Sequence, residues 1–103
     1  MMKIQIDGDG YELDDSLRER VEDKIGGLDR YMNSLDRGHV TGSWDGGPGE
    51  ETCVRAQVWG PGHRFEASDT DRDPVTAVDR THHELETQIR REHDKELSKR
   101  DRR

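Results

Sequence analysis

Residues 37–70 read RGHVTGSWDGGPGEETCVRAQVWGPGHRFEASDT and show the most regular pattern in the chain. Polar and apolar residues alternate along three segments, with the period of two that is typical of strands that have one buried face. Breaks rich in glycine and proline, at residues 45–49 and 60–62, separate these segments. The pattern predicts a three-stranded meander, with strands at residues 38–44, 52–59 and 63–68.

The alternation assigns the side chains of this meander to two faces. The face predicted to be buried contains Val40, Trp44, Val54, Ala56, Val58, Phe65 and Ala67. The open face contains Cys53, Arg55, Gln57, Trp59, Arg64 and Glu66. Trp59 beside Arg55 and Arg64 has two interpretations. It is either an exposed indole that packs over its neighbours, which is the commoner arrangement, or a platform on which a nucleic-acid base stacks.

A short strand opens the chain before the meander. Residues 3–6 alternate polar with β-branched residues, which predicts a strand with Ile4 and Ile6 facing the core. Residues 7–10 read Asp-Gly-Asp-Gly and predict a turn. A calcium-binding loop is the other interpretation of this segment, but the further ligands that such a loop needs are absent from it.

A helical pattern follows Asp14 and Asp15, either of which can cap a helix. Apolar residues recur every three or four positions, which predicts an amphipathic helix over residues 15–33, loosened by the Gly-Gly pair at 26–27. The apolar stripe contains Leu17, Val21, Ile25, Leu28, Met32 and Leu35. One flank of it, interpreted first as a rim around a core helix, contains Arg20, Lys24 and Tyr31.

A second helix is predicted to begin after Asp73, a good N-cap residue, with Pro74 at its first position. Its apolar stripe contains Val75, Val78, His82, Leu85 and Ile89, with Leu97 two turns further on. Because the stripe fades after Ile89, the last turns are expected to project beyond the core. Residues 1–98 are expected to form a single domain, and residues 99–103 a disordered basic tail.

Charge is distributed unevenly along the chain of 103 residues, which has a net charge of −7 and is 40% charged and 27% hydrophobic. Residues 90–103 contain seven Arg and Lys against four Asp and Glu, a balance of +3, whereas residues 1–89 contain ten against twenty, a balance of −10. A basic cluster on an acidic protein suggests an anionic partner. Charge alone fits a salt-bridged surface helix equally well, since Glu86–Arg90 and Glu96–Arg100 are i,i+4 pairs.

Several classes of site find no support in the sequence. With Cys53 as the single cysteine there is no intramolecular disulfide or cysteine zinc site, and a reducing, cytoplasmic setting is expected. No apolar run approaches the roughly 18 residues of a membrane span. His82 and Glu86 have the spacing of a metal-ligand pair, but a core or boundary histidine is favoured because further ligands are lacking and His82 lies on the apolar stripe. We expect no metal, cofactor, small-molecule substrate or membrane partner, and no enzyme.

The order strand, helix, three-stranded meander, helix resembles that of the ribosome hibernation promoting factor and ribosome-associated inhibitor A family, also called sigma-54 modulation proteins. Three stretches are similar to the family's patterns. They are K-I-Q-I-D-G followed by Y-E-L-D-D-S-L-R-E-R-V-E-D-K-I-G-G-L-D-R-Y, then F-E-A-S-D-T-D-R-D-P-V-T-A-V-D, then L-E-T-Q-I-R-R-E-H-D-K.

The resemblance implies an α+β fold in the order βαβββα, a four-stranded sheet with two helices packed on one face. It implies a translation inhibitor of stationary phase and stress that binds small-subunit rRNA in the mRNA/tRNA channel. It also implies a short form of the family that is a monomer off the ribosome. The residues carried over as rRNA-binding are Lys24, Arg30, Gln88, Arg90, Arg91, His93 and Lys95.

The second helix departs from the family pattern at three positions. Glu84 stands where the family usually has lysine, Thr87 where it has a basic residue, and His93 where it has another lysine. The alternative function is therefore a regulatory protein-interaction module of the same fold that has lost strong rRNA binding.

Overall fold

The computed structural model describes residues 2–9, 14–44 and 51–101, without the side chains of Asp9, Trp44 and residues 98–101. Secondary structure follows the order βαβββα, as predicted, with a short 3₁₀ helix after the first α-helix. The elements are β1 (Lys3–Asp9), α1 (Asp15–Gly26), the 3₁₀ helix (Gly27–Arg30), β2 (Arg37–Trp44), β3 (Thr52–Gly60), β4 (His63–Asp71) and α2 (Pro74–Asp101).

The four strands form one mixed sheet in the order β1-β2-β3-β4, in which β1 is parallel to β2 and the other pairs are antiparallel. Residues in register across the strands share a face. One such row on the helix-covered face is Ile4, Gly38, Val58 and Phe65, and the next is Ile6, Val40, Ala56 and Ala67. The predicted buried face is thus confirmed at its six described positions, while the side chain of Trp44 lies outside the described residues.

The prediction of a turn at residues 7–10 was wrong for Asp7, Gly8 and Asp9. These residues continue β1, since they pair in parallel with residues 41–43 of β2. The Asp-Gly pattern indicates a turn only when no neighbouring strand forms hydrogen bonds with the backbone of the segment. Here β2, more than thirty residues further along the chain, forms those hydrogen bonds. Gly10 and the predicted loop at residues 45–49 lie outside the described residues.

The hairpin between β3 and β4 closes at Pro61 and Gly62. Gly62 has a φ of 78°, a left-handed conformation that glycine adopts without steric cost. The Pro-Gly order is that of the central residues of a type II turn. His63 therefore starts β4 in a fixed position, directly opposite Gly60.

Helix α1 is shorter than predicted. Asp14 caps it by accepting a hydrogen bond from the Leu17 backbone N–H (2.8 Å), and the six apolar residues of the predicted stripe are all buried. The α-helix ends at Gly26, however, and the chain tightens into the 3₁₀ helix instead of continuing to residue 33. The two adjacent glycines account for this end, because glycine is a poor helix former and allows the change in winding.

Helix α2 begins where the sequence predicted. The Asp73 side chain accepts hydrogen bonds from the Val75 N–H (3.1 Å) and the Thr76 hydroxyl (2.9 Å), and Pro74 is the first helical residue. Val75 was wrongly assigned to the buried stripe, since it is 38% exposed. The helix rests on β3 and β4 through the flank that contains Ala77 and Thr81, both 0% exposed.

The last turns of α2 extend past the sheet, as predicted. Ile89 is fully buried, whereas Leu97 is 43% exposed. Residues 98–101 belong to the helix, and residues 102–103 lie outside the described part of the chain. The single domain of residues 1–98 and the separate tail of 99–103 stay predictions. No helix in the described residues is long and apolar enough to cross a membrane.

Candidate nucleic-acid interface

The predicted rRNA-binding residues lie on two separate surfaces, one on each side of α2. One side faces α1, and we call the surface there the α1–α2 seam, which contains Lys24, Arg30, Tyr31 and Arg90. The other side faces β4, and we call it the β4 flank, which contains Glu84, Gln88, Arg91 and Lys95. His93 is exposed and lies three residues after Arg90, which places it near the seam beyond the end of α1. The seven residues therefore do not form one patch.

Tyr31 organises the outer end of the seam. The guanidinium carbon of Arg30 lies 5.2 Å from the centre of the Tyr31 ring, and that of Arg90 lies 5.8 Å from it. Both distances are within the range of cation–π attraction. A half-buried tyrosine thus holds one arginine from each side of the seam in place, and two positive charges meet at one point of the surface.

Glu86 completes this arrangement. A hydrogen bond with Tyr31 lowers the pKa of the Glu86 carboxyl group, and nearby positive charge lowers it further. Glu86 also lies 3.6 Å from the Arg90 guanidinium, one turn along α2. The sequence placed Tyr31 on a flank of the first helix but did not predict this role, because the tyrosine and its partners on α2 are more than fifty residues apart.

The inner end of the seam is closed by a bidentate ion pair between the helices. Arg20 donates from Nε and Nη2 to the two carboxylate oxygens of Asp79, at 2.9 and 2.7 Å. This hydrogen bonding is the main reason why the pKa of Asp79 is lowered and that of Arg20 raised. The ion pair of Arg20 with Asp79 thus holds α1 against α2. Lys24 lies one turn further along α1.

His82 lies half-buried beneath the seam, which matches the boundary placement and not the core placement that the sequence left open beside it. Burial lowers the pKa of its imidazole, and the nearby positive charges of Lys24 and Arg30 add to that effect, while Glu86 opposes it. His82 is therefore neutral near pH 7. Its buried Nε2 atom has no hydrogen-bond partner in the described part of the chain.

The β4 flank has a different character. The Gln88 side chain donates to the backbone carbonyl of Glu66 on β4, at 2.9 Å, so this amide is partly used in holding the helix to the sheet edge. Arg91 and Lys95 follow Gln88 by three and seven residues, on the same side of the helix, and both are exposed. They lie where the helix leaves the core and can reach a partner that approaches this end.

An acidic pair lies at the start of the β4 flank. Glu84 and Asp69 are hydrogen-bonded, and the pKa of Glu84 is raised by burial first and by this contact second. Lysine at this position, as in the family pattern, would pair with Asp69 instead. The departure thus places two carboxyl groups side by side one turn before Gln88.

His63, Glu92 and Glu96 form a cluster that the sequence did not predict. Their donor atoms lie within 4.8 Å of one another, and His63 Nε2 is 2.5 Å from Glu96 Oε1. A metal-bound imidazole normally donates its other N–H to an acceptor, whereas the buried His63 Nδ1 has no partner among the described residues. We therefore interpret the cluster as a contact that anchors the projecting part of α2 to β4. The absence of a metal site stays a prediction.

Two relatives of known description are similar to this chain in sequence. A ribosome hibernation promotion factor of Lactococcus lactis subsp. cremoris is 36% identical over 93 residues, which are 88% of this chain and 49% of that protein. The chain thus spans about half the length of that relative. A ribosome hibernation promoting factor of Acidithiobacillus ferridurans is 32% identical over 78 residues, which are 76% of this chain and 100% of that protein.

Solved structures agree with the fold. The N-terminal domain of Thermus thermophilus Protein Y superposes with a TM-score of 0.76 at 32% identity, covering 88% of this chain and 98% of that one. A ribosomal subunit interface protein from Coxiella burnetii gives a TM-score of 0.71 at 29% identity, covering 84% and 91%. Residues 4–96 match the family described as Sigma 54 modulation protein / S30EA ribosomal protein, and the chain belongs to this family.

Proposed function

We propose that the protein is a cytoplasmic, ribosome-associated translation inhibitor that binds small-subunit rRNA in the mRNA/tRNA channel when growth stops. The observation that supports this most directly is the projecting second half of α2, which has cationic residues on two sides beyond the core. The names of the relatives, which include hibernation factors and a subunit interface protein, support ribosome association.

The two cationic sides suit a partner that surrounds the helix. Arg30 and Arg90 meet at Tyr31 on one side, and Arg91 and Lys95 project from the other. Long cationic side chains bind phosphates through charge-assisted hydrogen bonds, and arginine often does so with two bonds at once. A channel with rRNA on both walls offers phosphates to both sides of the helix, whereas a flat RNA surface offers them to one.

The acidic remainder of the chain restricts how the protein approaches RNA. Residues 1–89 have a charge balance of −10, so contact through most of the surface is repulsive. The basic end, residues 90–103, has a positive balance and is the most strongly attracted segment. We therefore expect about five phosphate contacts and a slope of about −3 to −5 when log K is plotted against log salt.

Co-sedimentation with small ribosomal subunits tests this function. The protein should bind vacant subunits at low salt and be excluded from subunits already loaded with mRNA and tRNA. Equal binding to vacant and loaded subunits would contradict the channel location. Protein that stays at the top of the gradient even at low salt would contradict ribosome binding altogether.

The second candidate is the protein-interaction module, and the acidic pair Glu84–Asp69 is the observation that favours it. A carboxyl pair on the β4 flank disfavours phosphate and suits a basic protein surface. Glu84→Lys separates the two functions, since it should strengthen binding to small subunits if the flank faces rRNA. Wild-type and variant protein that both fail to bind at low salt would favour the module.

A further inference from the structure

The helix-free face of the sheet has a row of four residues, of which the sequence placed only Trp59 and Arg64 together. Lys3, Arg37, Trp59 and Arg64 are directly in register, one from each strand. Partners in register point to the same face with their Cβ atoms about 5 Å apart. Trp59 is half-buried and has an arginine on each neighbouring strand, and the three cationic residues are exposed.

The arrangement corrects the sequence interpretation of this face. Arg55 was expected beside Trp59, but it lies four residues away along β3, about 13 Å at the rise of a strand. It is also bound to Glu66, with Nε donating to Oε1 at 2.7 Å. Arg64 lies opposite Trp59 on β4, as predicted. Arg37 lies opposite it on β2 and was missed, because spacing within one strand does not reveal the register between strands.

Space beside Trp59 is available on both sides. A concave region of about 490 Å³ is lined by Gln57, Trp59, Gly60, Gly62, His63 and Arg64. Another of about 370 Å³ is lined by Lys3, Ile4, Gln5, Arg37, Gly38 and Trp59. These volumes are in the range of pockets that hold small planar ligands.

The charges of the row are not neutralised within the described residues. Lys3 and Arg37 have no ion-pair partner there, and Arg64 is held by a 3.3 Å hydrogen bond from its Nη2 to Gln57 Oε1. Arginine lies over the Tyr31 ring elsewhere, but in the described part of the chain no cation covers the Trp59 ring. Three cations and an uncovered indole on a protein of net charge −7 are complementary to an anion that has an aromatic ring.

We propose that this row, Lys3-Arg37-Trp59-Arg64, binds an unpaired rRNA nucleotide, with the base stacked on Trp59 and the flanking phosphates bound by the arginines. Single-stranded RNA combines the two features that the row matches, since every base has a stacking face and every linkage a negative charge. Gln57 lies one row further along β3 and offers an amide to the base edge. The proposal rests on the proposed function and adds a second RNA contact, on the face opposite the helices.

Binding of a short oligouridylate to the isolated protein tests the row. In a Trp44→Phe background, Trp59 is the only indole, and its fluorescence should be quenched saturably by the oligonucleotide. With binding followed by anisotropy of a labelled oligouridylate, Trp59→Ala should weaken affinity about fivefold to a hundredfold, and Trp59→Phe should restore most of it. Arg37→Gln with Arg64→Gln should reduce the steepness of the salt dependence by about 1 to 2.

Arg55→Gln is the matched control on the same face and should bind like the parent protein. Thermal unfolding of each variant checks that the sheet is intact. Affinity that is unchanged by Trp59→Ala, or lowered as much by Arg55→Gln as by the arginine pair, would overturn the proposal.

Ultraviolet crosslinking to vacant small subunits identifies the source of the nucleotide. A crosslink between the Trp59 peptide and rRNA is expected without added mRNA, and a crosslink that forms only after mRNA is added would overturn the assignment to rRNA.

Protein that co-sediments normally when Trp59 is replaced by alanine, but shows no oligonucleotide binding in any form, would reject this row and leave the proposed function intact. Protein that binds the oligonucleotide but never co-sediments would reject the proposed function instead.

Discussion

The two halves of α2 are continuous in sequence and helical throughout, yet their surroundings differ. Residues 74–89 are capped by Asp73, and Val78, Leu85 and Ile89 from this half are 0–1% exposed. Residues 90–101 have no buried apolar residue among the described side chains, and Leu97 is 43% exposed. The first half is explained by packing within the molecule. The second half contacts the rest of the molecule through Arg90 on Tyr31 and through Glu92 and Glu96 beside His63, and its other described side chains are exposed.

The largest difference between the halves should appear in stability. Leu85→Ala removes a fully buried side chain and should lower the free energy of unfolding by about 2–5 kcal/mol. Leu97→Ala is the matched change in the projecting half and should alter it by less than about 0.5 kcal/mol. Urea denaturation measures both. Similar losses for the two variants would show that the second half also packs into a core.

The cap of the first half should have a smaller effect. Asp73→Ala removes the acceptor for the Val75 N–H and the Thr76 hydroxyl and should cost about 1 kcal/mol. Asp73→Asn keeps a side-chain acceptor and should recover most of that loss. If the alanine variant is as stable as the parent in urea, the cap does not determine where α2 begins.

His82, in the first half of α2, should make stability depend on pH. Burial lowers the pKa of His82 in the folded state below its unfolded value of about 6.5, so below that pH the unfolded chain binds a proton that the folded chain does not. Stability from this group is therefore complete above about pH 6.5 and is lost as the pH falls below it. His82→Gln should flatten that part of the curve of unfolding free energy against pH. A curve for His82→Gln that falls as steeply below about pH 6.5 as that of the parent protein would contradict this explanation.

The smallest effect is expected at the end of the helix. Removal of residues 99–103 deletes four Arg and Lys with one Asp and leaves the anchored part of the second half in place. Ribosome affinity should fall only about twofold to fivefold, as for exposed charges that are well screened. Complete loss of co-sedimentation would mean that the tail, and not residues 88–95, provides the main contact.

The sequence correctly predicted the features that depend on the spacing of residues within one element. The strand faces, the cap at Asp73 and the buried stripe of α1 all depend on spacing within one element, and the structure confirms them. The features that the sequence did not predict depend on contacts between segments that are distant in the chain. The ladder with β2 extends β1 through Asp9, and packing of α1 against α2 brings Arg30 and Arg90 to Tyr31.

The resemblance named residues but not their arrangement. It gave the cationic positions of the second helix as a set, and only the contacts of Gln88 with β4 and of Arg90 with Tyr31 show that this set covers two sides. It also could not show that the lysine-to-glutamate departure at Glu84 places a carboxyl group against Asp69, because that contact depends on how α2 lies over β4.

Matched charge reversal determines whether the second half of α2 is the surface that recognises RNA. Arg91→Glu with Lys95→Glu changes the net charge by −4 in the second half. Arg72→Glu with Arg80→Glu makes the same change at exposed residues beside the first half, one of which pairs with Asp71. In co-sedimentation with small subunits over a salt series, we expect the first variant to lose binding and the second to bind nearly as well as wild type. Equal loss in both variants, or no loss in the first, would contradict the account.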